Sequence, residues 1–182
     1  MNVKHPAVFL DRDGTLNVDC SYLTKPEQLQ LLPGVGPALV RLRRAGYVCV
    51  IVTNQSAVGR GWMSEEDLQR VHEEMKRQLG AHEACVDAIY HCPHHVDHPE
   101  RKPAPGMLLR AAAELQLDLA ASWMIGDSLR DMQAGQGAGC RGCILVRTGN
   151  PIDGANLSLP EPVHVVDDLN AAVDLILASR AA

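Results

Sequence analysis

Four short stretches of this 182-residue chain carry side chains that could do chemistry together. The first, Asp11-Arg12-Asp13-Gly14-Thr15, puts two aspartates two positions apart at the end of an apolar run. On extended backbone such a pair points the same way. Two like charges so close are costly unless a proton or a cation relieves them, and a hard divalent cation such as magnesium is the natural relief. The bland alternative is an acidic turn in which Asp-Gly marks a bend. The second stretch, Thr53-Asn54-Gln55-Ser56, is a row of small polar groups able to grip a phosphoryl oxygen. The third, Arg101-Lys102, follows a histidine-rich run. The fourth, Gly126-Asp127-Ser128, adds another acid, with Asp131 one turn further on. Each has a local explanation of its own: a helix cap for Thr53, a solvated charge for Lys102, an N-cap for Asp127. A paired acid, a hydroxyl, a base and a further acid at successive strand ends are harder to explain separately.

Those strand ends follow from the hydrophobic pattern. "AVFLD", "YVCVIVTN", "CVDAIYHC", "SWMIGD" and "GCILVRT" read as short buried strands, and "VHVV" as a last one. Between them lie the helix-period segments "GVGPALVRLRRAG", "SEEDLQRVHEEMKRQLG", "GMLLRAAAELQL" and "SLRDMQAGQGAG". Gly46 should stop the first helix, and Ser64 should cap the second ahead of an acidic first turn. A closing helix follows in "DDLNAAVDLILASR". This alternation predicts an α/β fold, a doubly wound parallel sheet with helices on both faces. Ligands of such sheets bind outside the carboxyl ends of the strands. No insertion is long enough for a large cap domain, so residues 1–182 are expected to form a single domain. Residues 148–162 read as an exposed loop.

Composition narrows the function classes. A hydrophobic share of 46% with 21% charged residues suits a globular protein with a full core, and aromatic residues at 3% leave that core to aliphatic side chains. A formal charge of −5 argues against broad capture of DNA or RNA, which needs a basic face, but allows a local basic pocket for a small anion. The stretch "MNVKHPAVFLDRDG" shows no apolar signal region, and no apolar run approaches membrane-spanning length. The expectation is a cytoplasmic protein without membrane or nucleic-acid partners. It is also expected to be a monomer, since no exposed apolar helix face stands out. Of the six cysteines, Cys49 and Cys85 read as buried thiols in strands. Cys140 and Cys143 have C-x-x-C spacing but read as a helix end running into a strand.

With their order and spacing, "FLDRDGTLN", "VTNQS…GRG", "RKPAPGM" and "IGDSLRDMQAG" resemble the four motifs of the haloacid-dehalogenase (HAD) superfamily of phosphatases. More narrowly, the combination resembles the D-glycero-D-manno-heptose-1,7-bisphosphate 7-phosphatases, with histidinol-phosphate phosphatase as the neighbouring activity. The resemblance runs from about residue 7 to about residue 150 and implies a Rossmann-like HAD core. It implies Asp11 as nucleophile, Asp13 as general acid and base, and Thr53 and Lys102 as ligands of the transferring phosphoryl group. Magnesium would be held by Asp11, Asp127 and the backbone carbonyl of Asp13. The sugar would meet Asp19, Cys20, Ser21, Tyr22, Asn54, Gln55, Ser56 and Arg101. Ser128 stands where some relatives carry lysine. A polynucleotide 3′-phosphatase shares the nucleophile motif but would want a basic, aromatic groove that this composition does not supply. A non-enzymatic metal-binding protein on the same fold would have been suggested by loss of Asp11, Asp13, Lys102 or Asp127, and all four are present.

The run "HCPHHVDHPERKP" concentrates metal-ligand residue types. Members of the family often carry a zinc loop of form C-x-H…C-x-C before R-K-P. Here Cys92 and His94 keep the first half, while His98 and Glu100 stand where the two later cysteines would be. The loop is either a zinc site of one sulfur, two imidazoles and a carboxylate, or a metal-free brace. The brace is favoured, because only three residues separate His94 from His98. In both readings the loop aims Arg101 and Lys102.

Overall fold

The computed structural model describes residues 4–149 and 163–180. The chain order is β1 (Ala7–Leu10), α1 (Val35–Arg44), β2 (Val48–Asn54), α2 (Ser56–Gly59), α3 (Glu65–Gly80), β3 (Ala88–Cys92), α4 (Gly106–Glu114), β4 (Trp123–Gly126), α5 (Leu129–Ala138), β5 (Gly142–Val146), β6 (Val163–Val166) and α6 (Leu169–Ala178). The six strands form one parallel sheet in the order β3-β2-β1-β4-β5-β6. This is the α/β architecture expected from the alternating pattern. The two-residue period of a strand divides its side chains between two cores. Val8 and Leu10 of β1 join one core with α1, α3 and α6, while Ala7 and Phe9 join the other with α4 and α5. A sheet buried on both faces explains why its strands read as continuous apolar runs.

Local chemistry sets the element ends. Ser64 Oγ accepts from the Asp67 N–H at 3.0 Å, and the Asp67 carboxylate accepts from the Ser64 N–H at 2.8 Å. This reciprocal cap starts α3 where the serine predicted it. β3 starts later than the expected run from Cys85. Asp87 takes the place of a ladder residue, its carboxylate accepting from the Cys49 N–H at 2.8 Å. Cys85 therefore lies before the strand and is exposed, which corrects its reading as a buried thiol, whereas Cys49 is buried as expected. Burial raises the thiols of Cys140 and Cys143 to about 12 and about 11, so that pair is inert at neutral pH.

The order of the sheet decides where a ligand can bind. From β1 the chain winds out through β2 to β3, then returns to β4 on the other side of β1. The reversal opens a crevice at the carboxyl ends of β1 and β4. Asp11 follows β1 directly and Asp127 follows β4, so the two acids meet at that point. No described helix is long and apolar enough to cross a membrane. Of the stretch expected as an exposed loop, residues 150–162 lie outside the described residues.

Candidate active site

Asp11, Asp13, Thr53, Lys102 and Asp127 line one cavity of 240 Å³ at the switch point. Asp19, Ser21, Asn54 and Ser128 also line it, and so does Asp131, to which the sequence alone assigns no role. The carboxylates of Asp11, Asp127 and Asp131 bring oxygens within 4.8 Å of one another. Lys102 Nζ lies 2.9 Å from Asp11 Oδ1 and 2.6 Å from Asp131 Oδ1, and Lys102 and Asp131 are almost wholly buried. Both carboxylates hold the ammonium as close ion pairs. Its N–H groups retain capacity for a further acceptor.

The cluster is electrostatically strained without a cation. Burial, together with the neighbouring acids Asp131 and Asp127, pushes the Asp11 carboxyl up to about 7 against the opposing pull of Lys102. Burial and then Asp131 push Asp127 up to about 6. Desolvation works against the Lys102 ammonium, but Asp11 and Asp131 outweigh it and its pKa is raised. Three clustered carboxylates, with Asp11 and Asp127 raised in proton affinity, suit a hard divalent cation bound through oxygen. Two glycines make the cluster possible. Gly14 adopts φ +77°, and a Cβ there would stand 2.4 Å from Asp127 Oδ2. At Gly126 a Cβ would stand 2.3 Å from the Asp131 Cγ.

Asp131 was hidden in the sequence by its second role. Its Oδ2 accepts from the Ser128 N–H at 3.0 Å and Oγ at 2.6 Å, capping α5, while Oδ1 faces Lys102. The usable signal was spacing: Asp131 stands four residues after Asp127, in the first turn of the segment that reads as a helix. Ser128 is thus both a cap and a wall of the cavity.

Hydrogen bonds set the other predicted residues in place. Asn54 Nδ2 donates to the Lys102 carbonyl at 2.9 Å, and its Oδ1 accepts from the Lys102 N–H at 3.1 Å. The end of β2 thereby fixes the backbone of the basic residue. Gln55 Nε2 donates to Thr53 Oγ1 at 2.8 Å and to Asp13 Oδ2 at 3.0 Å. The Asp13 carboxylate also accepts from Asn17 at 2.9 Å and from the Arg12 guanidinium at 2.8–3.1 Å. The Ser21 N–H donates to Asp19 Oδ1 at 2.8 Å in a tight turn, with Ser21 at φ +68°. Cys20 and Tyr22 are exposed beside them, and Tyr22 meets Trp62 edge to face at 4.6 Å. Ser56 opens α2 and does not line the cavity.

Arg101 lies in an adjoining cavity of 510 Å³ rather than in the catalytic one. Lys102 and Arg130 line both. The four positions weighed as zinc ligands do not converge: Asp11, Asp127 and Asp131 are the metal-capable cluster among the described residues. Cys92 is buried in β3, and the His94 and His98 rings stack at 3.9 Å. Glu100 pairs with Arg110 at 3.0 Å. Arg101 Nη1 donates to the His94 carbonyl at 2.7 Å. The residue types suit zinc but their placement does not, and the loop is held by these contacts instead.

The HAD-hydrolase-like family model matches residues 100–172. The chain is 46% identical to the D-glycero-beta-D-manno-heptose-1,7-bisphosphate 7-phosphatase of Photorhabdus laumondii, over 81% of this chain and 84% of that protein. It is 41% identical to the protein of the same name from Yersinia pestis, over 97% and 96%. The crystal structure of D,D-heptose 1.7-bisphosphate phosphatase from B. bronchiseptica, complexed with magnesium and phosphate, superposes with a TM-score of 0.89 at 39% identity. That match covers 96% of this chain and 99% of that one.

Proposed function

We propose, from the premise that this chain belongs to the D-glycero-beta-D-manno-heptose-1,7-bisphosphate 7-phosphatase family of HAD-like hydrolases, that it removes the 7-phosphate from that sugar bisphosphate. The observation that carries this reading is the convergence of the Asp11, Asp127 and Asp131 carboxylates on Lys102 Nζ at the sheet's switch point.

A carboxylate oxygen of Asp11 attacks phosphorus in line, and the bond from phosphorus to the sugar oxygen breaks. Asp13 delivers its proton to that departing oxygen. It then takes a proton from the water that attacks the aspartyl-phosphate, releasing inorganic phosphate and restoring Asp11. Lys102 and Thr53 hold the equatorial oxygens while charge shifts across them. Asp11, Asp127 and the Asp13 carbonyl, with Asp131 alongside, would hold magnesium, which would supply the positive charge that lets a carboxylate approach a phosphate. The relative complexed with magnesium and phosphate supports this reading of the acid cluster.

The sugar lies toward Asp19 to Tyr22 and Asn54, and its second phosphate extends toward Arg101. The enzyme works in the cytoplasm as a monomer, in the supply of nucleotide-activated heptose. The test is phosphate release with magnesium from heptose 1,7-bisphosphate, histidinol phosphate and a 3′-phosphorylated oligonucleotide. At least tenfold preference for the heptose is expected, and a smaller preference removes the narrow function. Asp11→Asn is expected to abolish turnover, and retained turnover removes the nucleophile assignment.

A further inference from the structure

Arg12 stands between two aspartates of the catalytic motif, yet its side chain is wholly buried. A guanidinium taken out of water is tolerable only when its donors are met. One edge meets Asp13: Nε donates to Oδ1 at 3.1 Å, and Nη2 donates to Oδ1 at 3.0 Å and Oδ2 at 2.8 Å. On the other side, Nη1 lies 3.4 Å from Nε2 of His72, a buried residue near the middle of α3. For Nε2 to accept, the imidazole must be neutral with its proton on Nδ1. Burial first, and then the charge of Arg12, hold His72 down at about 3, so it is neutral at any working pH.

We propose that His72 is a positioning residue for proton transfer: it holds Arg12, and Arg12 fixes the direction of the Asp13 carboxyl group, pairing fully with the carboxylate left once the proton has passed to the leaving oxygen. α3 is anchored by Leu68, Val71, Met75 and Leu79 in the core, so His72 gives the arginine a fixed stop. Asp13 is the partly exposed member of its pair with Arg12 and faces the catalytic cavity. Without the stop, the guanidinium can follow its unmet donors toward another acceptor and draw the carboxylate with it. Gln55 and Asn17 also touch Asp13, but each gives it one neutral hydrogen bond, weaker than the charge-assisted pair.

This inference rests on the role proposed for Asp13, and the test separates the two. His72→Leu, His72→Asn and His72→Gln are compared in the full protein at saturating magnesium, by first-turnover release of the leaving group. The substrates are heptose 1,7-bisphosphate, whose sugar oxygen must be protonated, and 4-nitrophenyl phosphate, whose nitrophenolate departs without a proton. A cavity of 320 Å³ beside His72 leaves room for the replacements. For Leu, and for Asn, whose amide falls short of Arg12, sugar-phosphate turnover should drop at least about tenfold with KM nearly unchanged. The nitrophenyl rate should fall by less than about threefold. Gln, whose Oε1 reaches where Nε2 stood, should recover the sugar-phosphate rate to within about threefold. Equal losses on both substrates, no loss, or no recovery with Gln would overturn the positioning role. If the unaltered protein releases no phosphate from the sugar, the functional reading falls, and this inference with it.

Discussion

Lys102 Nζ lies 2.6 Å from Asp131 Oδ1, joining the residue before a proline-rich turn to the capping acid of α5 through a buried contact. The pair ties two walls of the cavity together and sets the ammonium beside Asp11. Removing one charge of a buried pair leaves the other uncompensated. Asp131→Asn should therefore raise the magnesium half-saturation by about tenfold and lower kcat, because Lys102 loses its anchor and the metal site loses a charge. Magnesium titration of activity checks this, and an unchanged half-saturation would refute a role for Asp131 at the metal.

Protons compete for the same acid cluster. Asp11 is raised to about 7 and Asp127 to about 6 in the absence of a cation. Both bind metal in the ionised form, so lowering the pH through 7 and then 6 fills them with protons that magnesium must displace. Apparent magnesium affinity should be near its plateau at about pH 8 and fall by well over tenfold by about pH 5.5. Calorimetric titration across that range reads it directly. An affinity independent of pH would contradict the raised pKa values.

Arg130 lies in the first turn of α5, is exposed and lines both the catalytic cavity and the one beside it. Together with Arg101 it faces the space where the second phosphate would extend. Arg130→Ala should raise KM for the 1,7-bisphosphate by about three- to tenfold and leave heptose 7-phosphate nearly unaffected, the size expected of a partly solvated charge-assisted contact. Equal effects on the two substrates would place the second phosphate elsewhere.

The histidine loop should need no zinc. Elemental analysis of purified protein is expected to find well below one zinc per chain, and chelators specific for zinc should leave magnesium-dependent turnover intact. A full equivalent of zinc would mean that Cys92, His94, His98 and Glu100 rearrange from the stacked and ion-paired geometry described above.

What could be read from the chain alone was whatever depends on neighbours in sequence. Periodicity and caps are local, so β1, β2, β4, β5, α3 and the acids at the strand ends are legible in the sequence. The start of β3 was not, because Asp87 replaces a ladder contact by reaching across to Cys49 in another strand. The zinc alternative met the same limit: residue types left it open, and the path of the loop separates its members. The sequence alone assigns no role to Asp131 or His72, because their partners Lys102 and Arg12 are distant along the chain. Sheet order and burial belong to the tertiary structure. They bring Asp11, Lys102, Asp127 and Asp131 to one point, take them out of water, and so turn ordinary acids into a site that calls for a cation.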